Sequence, residues 1–382
     1  MDLSQKKKIA FICSGGAVKA AAFHAGVALA LERVGFRFHG GTEGQLDAPR
    51  TIDPSRLIQV YVGSSAGSLV ATYLAQGGRL KDLVALYRRD KNIEGIPGLK
   101  YRQMLAHRLT GPKGLFDFNN LFMAFLKNRS LQSPFSTHGI RDYLSQHVIQ
   151  TDKFSGLKPD LFVVATEVNE MRKVVFSRYK SAPASSYLEY RNDVSVSDAC
   201  AASMALPPIY HPYTIQIEGK GRDYFDGEIQ EPLSAHIGRD VDCDLVICSY
   251  THQAIRVPQG QSISSKGMLS VSLQAIYQSI EQKIRVARGY RKQEKKLLDT
   301  VHKFFKQNNL SQELEEKLCQ ELEARMTYKS HMDYIYIHPK ASDVQMFNLP
   351  HFSMNRKHTE TIVKKGYLAG LSSMRGLKTQ LD

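Results

Sequence analysis

Gly63-Ser64-Ser65-Ala66-Gly67 sets a serine between two glycines at the spacing of a nucleophile elbow, a strained turn that projects a hydroxyl for attack on a carbonyl. Such a turn needs a strand before it and a helix after it. Ile58 to Val62 is β-rich, and Ser68 to Gln76 has helical spacing with Gly77 as its stop. Alone, the pentapeptide is also an ordinary Ser/Gly turn, so its weight depends on what accompanies it. Ser14-Gly15-Gly16-Ala17-Val18-Lys19-Ala20 is a stretch of mostly small residues between a predicted strand and helix. Its backbone N–H groups can bind an anion such as the oxyanion of an acyl-transfer intermediate. Phosphate binding fits it poorly, because it is not G-x-G-x-x-G and no G-K-[ST] follows. Asp226-Gly227 could bring a carboxylate to the serine hydroxyl, although Asp-Gly is by itself a turn signal.

The frame for these residues is predicted as follows. Lys8 to Cys13 reads as a buried strand, Val18 to Val34 as a helix ended by Gly35, and residues 37–56 as a polar loop leading to the elbow strand. This β-α-loop-β-elbow-α unit predicts an α/β fold with a central, mostly parallel sheet and right-handed crossovers. Residues 79–150 read as mostly helical with glycine-bearing interruptions, a stretch that could form a lid. Leu161 to Val168 and Lys173 to Ser177 read as a hairpin, and Val194 to Met204 as a small-residue helix. Strands at Thr214 to Glu218 and Leu245 to Tyr250 flank Asp226, which falls in a loop. Residues 251–267 read as a linker. A long helix then sets Leu269, Leu273, Ile276, Ile280, Ile284 and Ala287 on one face. Ser311 is expected to cap a further helix, followed by a strand at Asp333 to His338 and a helix at Arg356 to Met374. Two units are expected: a catalytic domain over residues 6–250 and a C-terminal helical region over 251–382 with one returning strand.

Composition narrows the class. The 382 residues are 42% hydrophobic and 23% charged, as in soluble globular proteins. No apolar run reaches the ~18 residues of a membrane-spanning helix. The apolar stretch Ile9 to Cys13 is too short for a signal-peptide core. Five scattered cysteines fit neither a disulfide framework nor a metal site, so a reducing, cytoplasmic setting is expected. The net charge of +14 calls for an anionic partner or serves solubility. With no nucleic-acid motif present, an anionic membrane surface is the better partner. Arg285, Arg288, Lys292 and Lys295 share one face of the long helix and could dock there, although Trp, the commonest interfacial anchor, is absent.

In this order the three chemical elements resemble the patatin-like phospholipase family. Its G-G-G-x-[KR]-G motif corresponds to Gly15 through Ala20, its G-x-S-x-G to Gly63 through Gly67, and its D-G-[GA] to Asp226-Gly227-Glu228. Asp198 to Pro212, Val164 to Thr166 and Pro232 to Ala235 resemble it as well, and the likeness extends over residues 6 to 250. The resemblance implies a three-layer fold and a catalytic dyad of Ser65 and Asp226 without histidine. It also implies an oxyanion hole from Gly15, Gly16 and Ala17, with Lys19, Gly63, Gly67 and Gly227 in supporting motifs. The implied activity is hydrolysis of fatty-acyl esters of phospholipids or lysophospholipids through an acyl-enzyme, with no metal or organic cofactor. An aspartate can act as the base only if a poorly solvated site raises its pKa. The chain departs from the family pattern at Ala17, Ala20 and Glu228. Of 13 histidines, His24, His211 and His236 are the candidates for a triad, and none has a triad-like context. A transacylase or thioesterase could use the same dyad, and a lipid-binding protein with a decayed site is the alternative from another class.

Overall fold

The computed structural model describes residues 2–45, 53–88, 97, 104, 135–180, 187–207, 209–257 and 259–378. In chain order the elements are β1 (Ile9–Cys13), α1 (Ala17–Arg33), β2 (Arg37–Phe38), β3 (Leu57–Ser64), α2 (Ala66–Ala75) and α3 (Leu80–Arg88). There follow α4 (His138–His147), β4 (Asp160–Glu167), β5 (Arg172–Phe176), β6 (Leu188–Arg191), α5 (Val196–Ser203), β7 (Tyr213–Ile217) and β8 (Lys220–Asp226). The chain continues through α6 (His236–Asp240), β9 (Leu245–Ser249), α7 (Met268–Gln307), α8 (Gln312–Arg325), β10 (Asp333–Ile337), α9 (Val344–Asn348) and α10 (Arg356–Lys378). Residues 90–130, within the stretch expected to form a lid, lie outside the described residues except for Pro97 and Met104.

One sheet runs in the order β10-β9-β1-β3-β4-β5-β6. Its strands from β10 to β4 are all parallel, and β5 and β8 each pair antiparallel with β4. The hydrophobic residues of β1, β3 and β9 are buried on both faces, as a sheet covered on two sides requires. One core layer joins the sheet to α1, α2, α4, α5 and α10 through residues such as Phe23, Val70, Leu144, Ala199 and Val363. The other joins it to α6 and α7 through Ile237 and Ile284. The result is the expected three-layer α/β arrangement. The C-terminal third is built into it: β10 extends the sheet beside β9, and α10 lies against α1 so closely that a Cβ on Gly26 would meet the Val363 carbonyl oxygen at 2.0 Å.

Three local readings need correction. Asp226 is the last residue of β8, not part of a loop, because Glu218 and Gly219 turn the chain at positive φ into a β7–β8 hairpin. The expected linker begins with a buried strap, Thr251 to Ile255. The side-chain amide of Gln274 holds that strap to α7, accepting from the Ile255 N–H at 3.2 Å and donating to its carbonyl at 2.9 Å. On α7, Ile284 is buried and Ile280 half-buried, but Ile276 and Ala287 of the expected stripe are exposed. Tyr277, Leu298 and Phe305 are buried with Ile284, at separations of seven or fourteen residues. Ser311 caps α8 as expected, accepting from the Leu314 N–H. All five cysteines are free.

Candidate active site

β1 lies between β3 and β9, so the chain leaves it in opposite directions at a topological switch point, where open α/β sheets place ligands. The register opposes Cys13 to Gly63 and to Ser249, Ser64 to Val164, and Ala165 to Asp226. Sheet pairing alone therefore gathers the Ser14–Ala17 loop, the Ser65 turn and Asp226 at one end of adjacent strands.

Ser65 sits at φ 51°, ψ −131°, immediately before α2. A non-glycine residue held at such a backbone conformation costs about 1–3 kcal/mol and persists only where its surroundings over-determine it. Here the Ser65 N–H donates to Ser203 Oγ at 2.8 Å, and Ser68 Oγ donates back to the Ser65 carbonyl at 2.6 Å. The flanking glycines are sterically required: a Cβ on Gly67 would lie 2.1 Å from the Cys13 carbonyl oxygen, and one on Gly63 2.4 Å from Ser68 Cα. Gly227 is equally confined, 2.4 Å from the Val164 carbonyl oxygen by the same measure. Ser203 was not singled out in the sequence, where it lies in a run of small residues.

Asp226 is 2% exposed. Burial pushes its carboxyl up to about 7, although the facing Ser65 hydroxyl and the hydrogen bond from the Glu228 N–H favour the charged form. The Glu228 N–H donates to Oδ1 at 3.0 Å. Desolvation outweighs both, which is the environment a carboxylate base near neutral pH needs.

In the Ser14–Ala17 loop, Gly16 has φ 126° and Ala17 φ 56°. Ala17, where the family pattern has glycine, thus takes a left-handed conformation, at a cost of roughly 1–2 kcal/mol for an L-residue. The N–H groups of Gly16 and Ala17 find no acceptor among the described residues. They stand at the positive end of α1 and are suited to hold an anion. The Gly15 N–H, expected as a third donor, is turned toward the Glu228 carboxyl.

Lys19 is neither solvated nor directed at the Ser65 pocket. It is 1% exposed, its Nζ donates to the Phe347 carbonyl at 3.2 Å, and burial brings its pKa down to about 8. His24 is packed under the loop, with Nε2 2.7 Å from the Ser14 carbonyl and Nδ1 2.7 Å from Ser249 Oγ. Since a carbonyl can only accept, Nε2 carries the proton and Nδ1 accepts from the serine. His211 and His236 hydrogen-bond to Pro212 and Glu231, and no histidine among the described residues bonds to Ser65. The loop is braced from behind by residues that sequence patterns did not reveal. Thr251 Oγ1 would lie 2.7 Å from a Cβ on Gly16, the His252 ring lies 3.4 Å from Ser14 Oγ, and the His351 carbonyl accepts from the Lys19 N–H at 3.1 Å. Burial holds His252 and His351 neutral, with pKa values near 3. No cluster of metal-ligating side chains is present among the described residues, and no helix among them is long and apolar enough to cross a membrane.

Fold and site together define an α/β protein whose elbow serine lies beside a buried aspartate. The family profile described as Patatin-like phospholipase matches residues 11–237, more than half of the 382-residue chain, and the protein belongs to that family of lipid acyl hydrolases. The crystal structure of VipD from Legionella pneumophila is similar, with 14% sequence identity, a TM-score of 0.40, and coverage of 97% of this chain and 67% of that one. No curated protein matches the sequence.

Proposed function

We propose that this protein hydrolyses fatty-acyl esters of phospholipids or lysophospholipids through an acyl-enzyme, with Ser65 as nucleophile and Asp226 as general base. The observation that carries the reading is the Ser65 hydroxyl facing the buried carboxyl of Asp226, at the end of the adjoining strand, which burial pushes up to about 7. Asp226 takes the hydroxyl proton as Ser65 Oγ attacks the ester carbonyl, and the Gly16 and Ala17 N–H groups receive the charge that develops on the carbonyl oxygen. The carbon–oxygen bond of the ester then breaks, and the leaving alcohol takes the proton from Asp226. A water molecule, losing its proton to Asp226, attacks the acyl-enzyme. Ser65 Oγ departs with that proton and the fatty acid is released.

Labelling by a fluorophosphonate probe, together with a mass-spectrometric screen of lipids consumed by the wild type but not by Ser65→Ala, tests this reading. Ser65→Ala and Asp226→Asn should each lower ester hydrolysis by about a thousandfold or more. Substantial hydrolysis in either variant refutes the dyad. An inert Ser65 in a protein that still binds lipid vesicles points to a decayed site.

Contact with an anionic membrane through α7 is part of the same proposal, and its supporting residues narrow to two. All four are exposed, but Arg285 is paired with Glu281 and the Arg288 guanidinium stacks on the Tyr336 ring at 4.4 Å, which leaves Lys292 and Lys295 as the cations of that face engaged in neither an ion pair nor a ring contact among the described residues.

A further inference from the structure

Glu228 stands where the family motif has a small residue, and at 7% exposure its carboxyl is almost fully buried. Ser14 Oγ donates to its Oε2 at 2.8 Å. The Gly15 N–H and the Ser64 hydroxyl face the same carboxyl in looser geometry, and Oε1 has no close donor. Ser14 and Gly15 open the oxyanion loop, whereas Ser64 is the residue before the nucleophile, so the carboxyl lies between the two loops. Gly15 shows how tightly they meet. A Cβ there would touch Glu228 Cγ and Ser65 Cβ, each at 2.8 Å. A buried carboxyl is costly unless donors satisfy it, and here those donors come from the two loops whose spacing decides whether an oxyanion can form.

We propose that Glu228 is a positioning residue that ties the oxyanion loop to the nucleophile elbow, holding the Gly16 and Ala17 N–H groups at a set distance from Ser65. The tie matters in this chain because Ala17 takes a left-handed conformation that glycine would adopt without strain. The same carboxyl has an electrostatic consequence. Burial raises the pKa of the Glu228 carboxyl itself, and when ionised it lies close enough to Asp226 to raise the pKa of that residue. The groups facing Glu228 are Ser14, Ser64, the Gly15 N–H, Asp226, the buried Lys173, and His252 with Nδ1 4.0 Å from Oε2. Lys173 favours the charged carboxyl, and His252 is neutral.

The inference rests on the acyl-hydrolase reading, and its test has one arm independent of activity. Amide hydrogen exchange over residues 14–18 and the fluorophosphonate labelling rate of Ser65 are measured in the wild type, Glu228→Ala, Glu228→Gln and Ser14→Ala. Glu228→Ala should speed exchange in the loop about tenfold and slow labelling at pH 8 by about tenfold or more, with sheet amides unchanged. Glu228→Gln keeps an oxygen toward the Gly15 N–H. It should label within about threefold of the wild type at pH 8, with the pH midpoint of labelling moved downward. Ser14→Ala, which removes the 2.8 Å donor without removing the carboxyl, should give a weaker form of the alanine effect and serves if Glu228→Ala does not fold. Unchanged loop exchange in Glu228→Ala and Ser14→Ala overturns the tie, as does a Glu228→Gln variant that labels as slowly as Glu228→Ala. A wild-type Ser65 that does not label defeats the hydrolase reading instead, and loop exchange still decides the role of Glu228.

Discussion

Ser65 and Asp226 face each other across a single strand, β4. Ser65 follows β3, Asp226 ends β8, and β4 lies between them, pairing with both. The hydroxyl and the carboxyl meet in a buried space where ionisation of the carboxyl is costly. That relationship sets both how activity should vary with pH and how stability should.

Activity should rise with pH through about 7. Only the deprotonated Asp226 can accept the Ser65 proton, and its carboxyl titrates near that value. Below it, kcat/KM for an uncharged ester should fall about tenfold per pH unit, so that at pH 5 roughly one hundredth of the plateau remains. A profile flat from pH 5 to 8 would mean that another group, or none, takes the proton.

Stability should run the other way. The folded-state pKa of Asp226 is raised from 3.8 to about 7. Below 3.8 the carboxyl is protonated in both states. Between the two values only the folded state keeps its proton, so stability falls as pH rises through that window. Above 7 the full cost is present, of the order of 4 kcal/mol. Asp226→Asn removes that cost and should melt higher than the wild type at pH 8, by a margin that disappears below pH 4. Thermal melts at the two pH values check it, and equal melting temperatures at pH 8 would contradict the burial of a charged carboxylate.

Ser203→Ala tests what holds the elbow. Ser203 Oγ accepts from the strained Ser65 N–H at 2.8 Å and donates to the Val164 carbonyl, all in the protein interior. Alanine leaves that N–H without a partner, at a cost of about 1–3 kcal/mol, and should lower the melting temperature. Because the lost bond is made by the nucleophile's own backbone, labelling of Ser65 should also slow by about tenfold. A loss of stability with an unchanged labelling rate would show that Ser68 and the flanking glycines hold the turn without it.

The parts of the site that the sequence disclosed are those built from local backbone. Gly63 and Gly67 mark a turn that admits no side chain, and Gly15-Gly16 mark a loop between strand and helix. Both requirements leave their record within a few residues. Asp226 was visible as a residue but its strand was not, since β8 begins Lys220-Gly221-Arg222-Asp223 and buries little of its first half. Thr251 to Ile255 read as a linker because Thr251, His252 and Gln253 are polar. Their burial depends on partners distant in sequence, such as the Ser14 hydroxyl beside His252 and the amide of Gln274 beneath Ile255. On α7, apolar residues occupy two faces, with Ile284 and Leu298 buried but Tyr290, Leu297 and Phe304 exposed. Periodicity finds such faces and does not say which one meets the sheet.

Those two faces decide how α7 could meet a membrane. Tyr290, Leu297 and Phe304 are exposed at seven-residue intervals, whereas Lys292 and Lys295 lie about 200° and about 140° further round the helix. Docking through the lysines therefore turns the apolar residues away from the bilayer, and attraction to anionic headgroups must act without insertion. Each such cation contributes about 1 kcal/mol near an anionic surface. Screening shortens its reach to about 10 Å at 0.1 M salt. Lys292→Glu combined with Lys295→Glu should weaken binding to phosphatidylserine-containing vesicles by about tenfold or more at low salt. Wild-type binding should be lost as salt is raised toward 0.5 M, as measured by vesicle co-sedimentation. Binding that survives both the charge reversal and the salt would place the contact on the Tyr290–Leu297–Phe304 stripe or elsewhere in the chain.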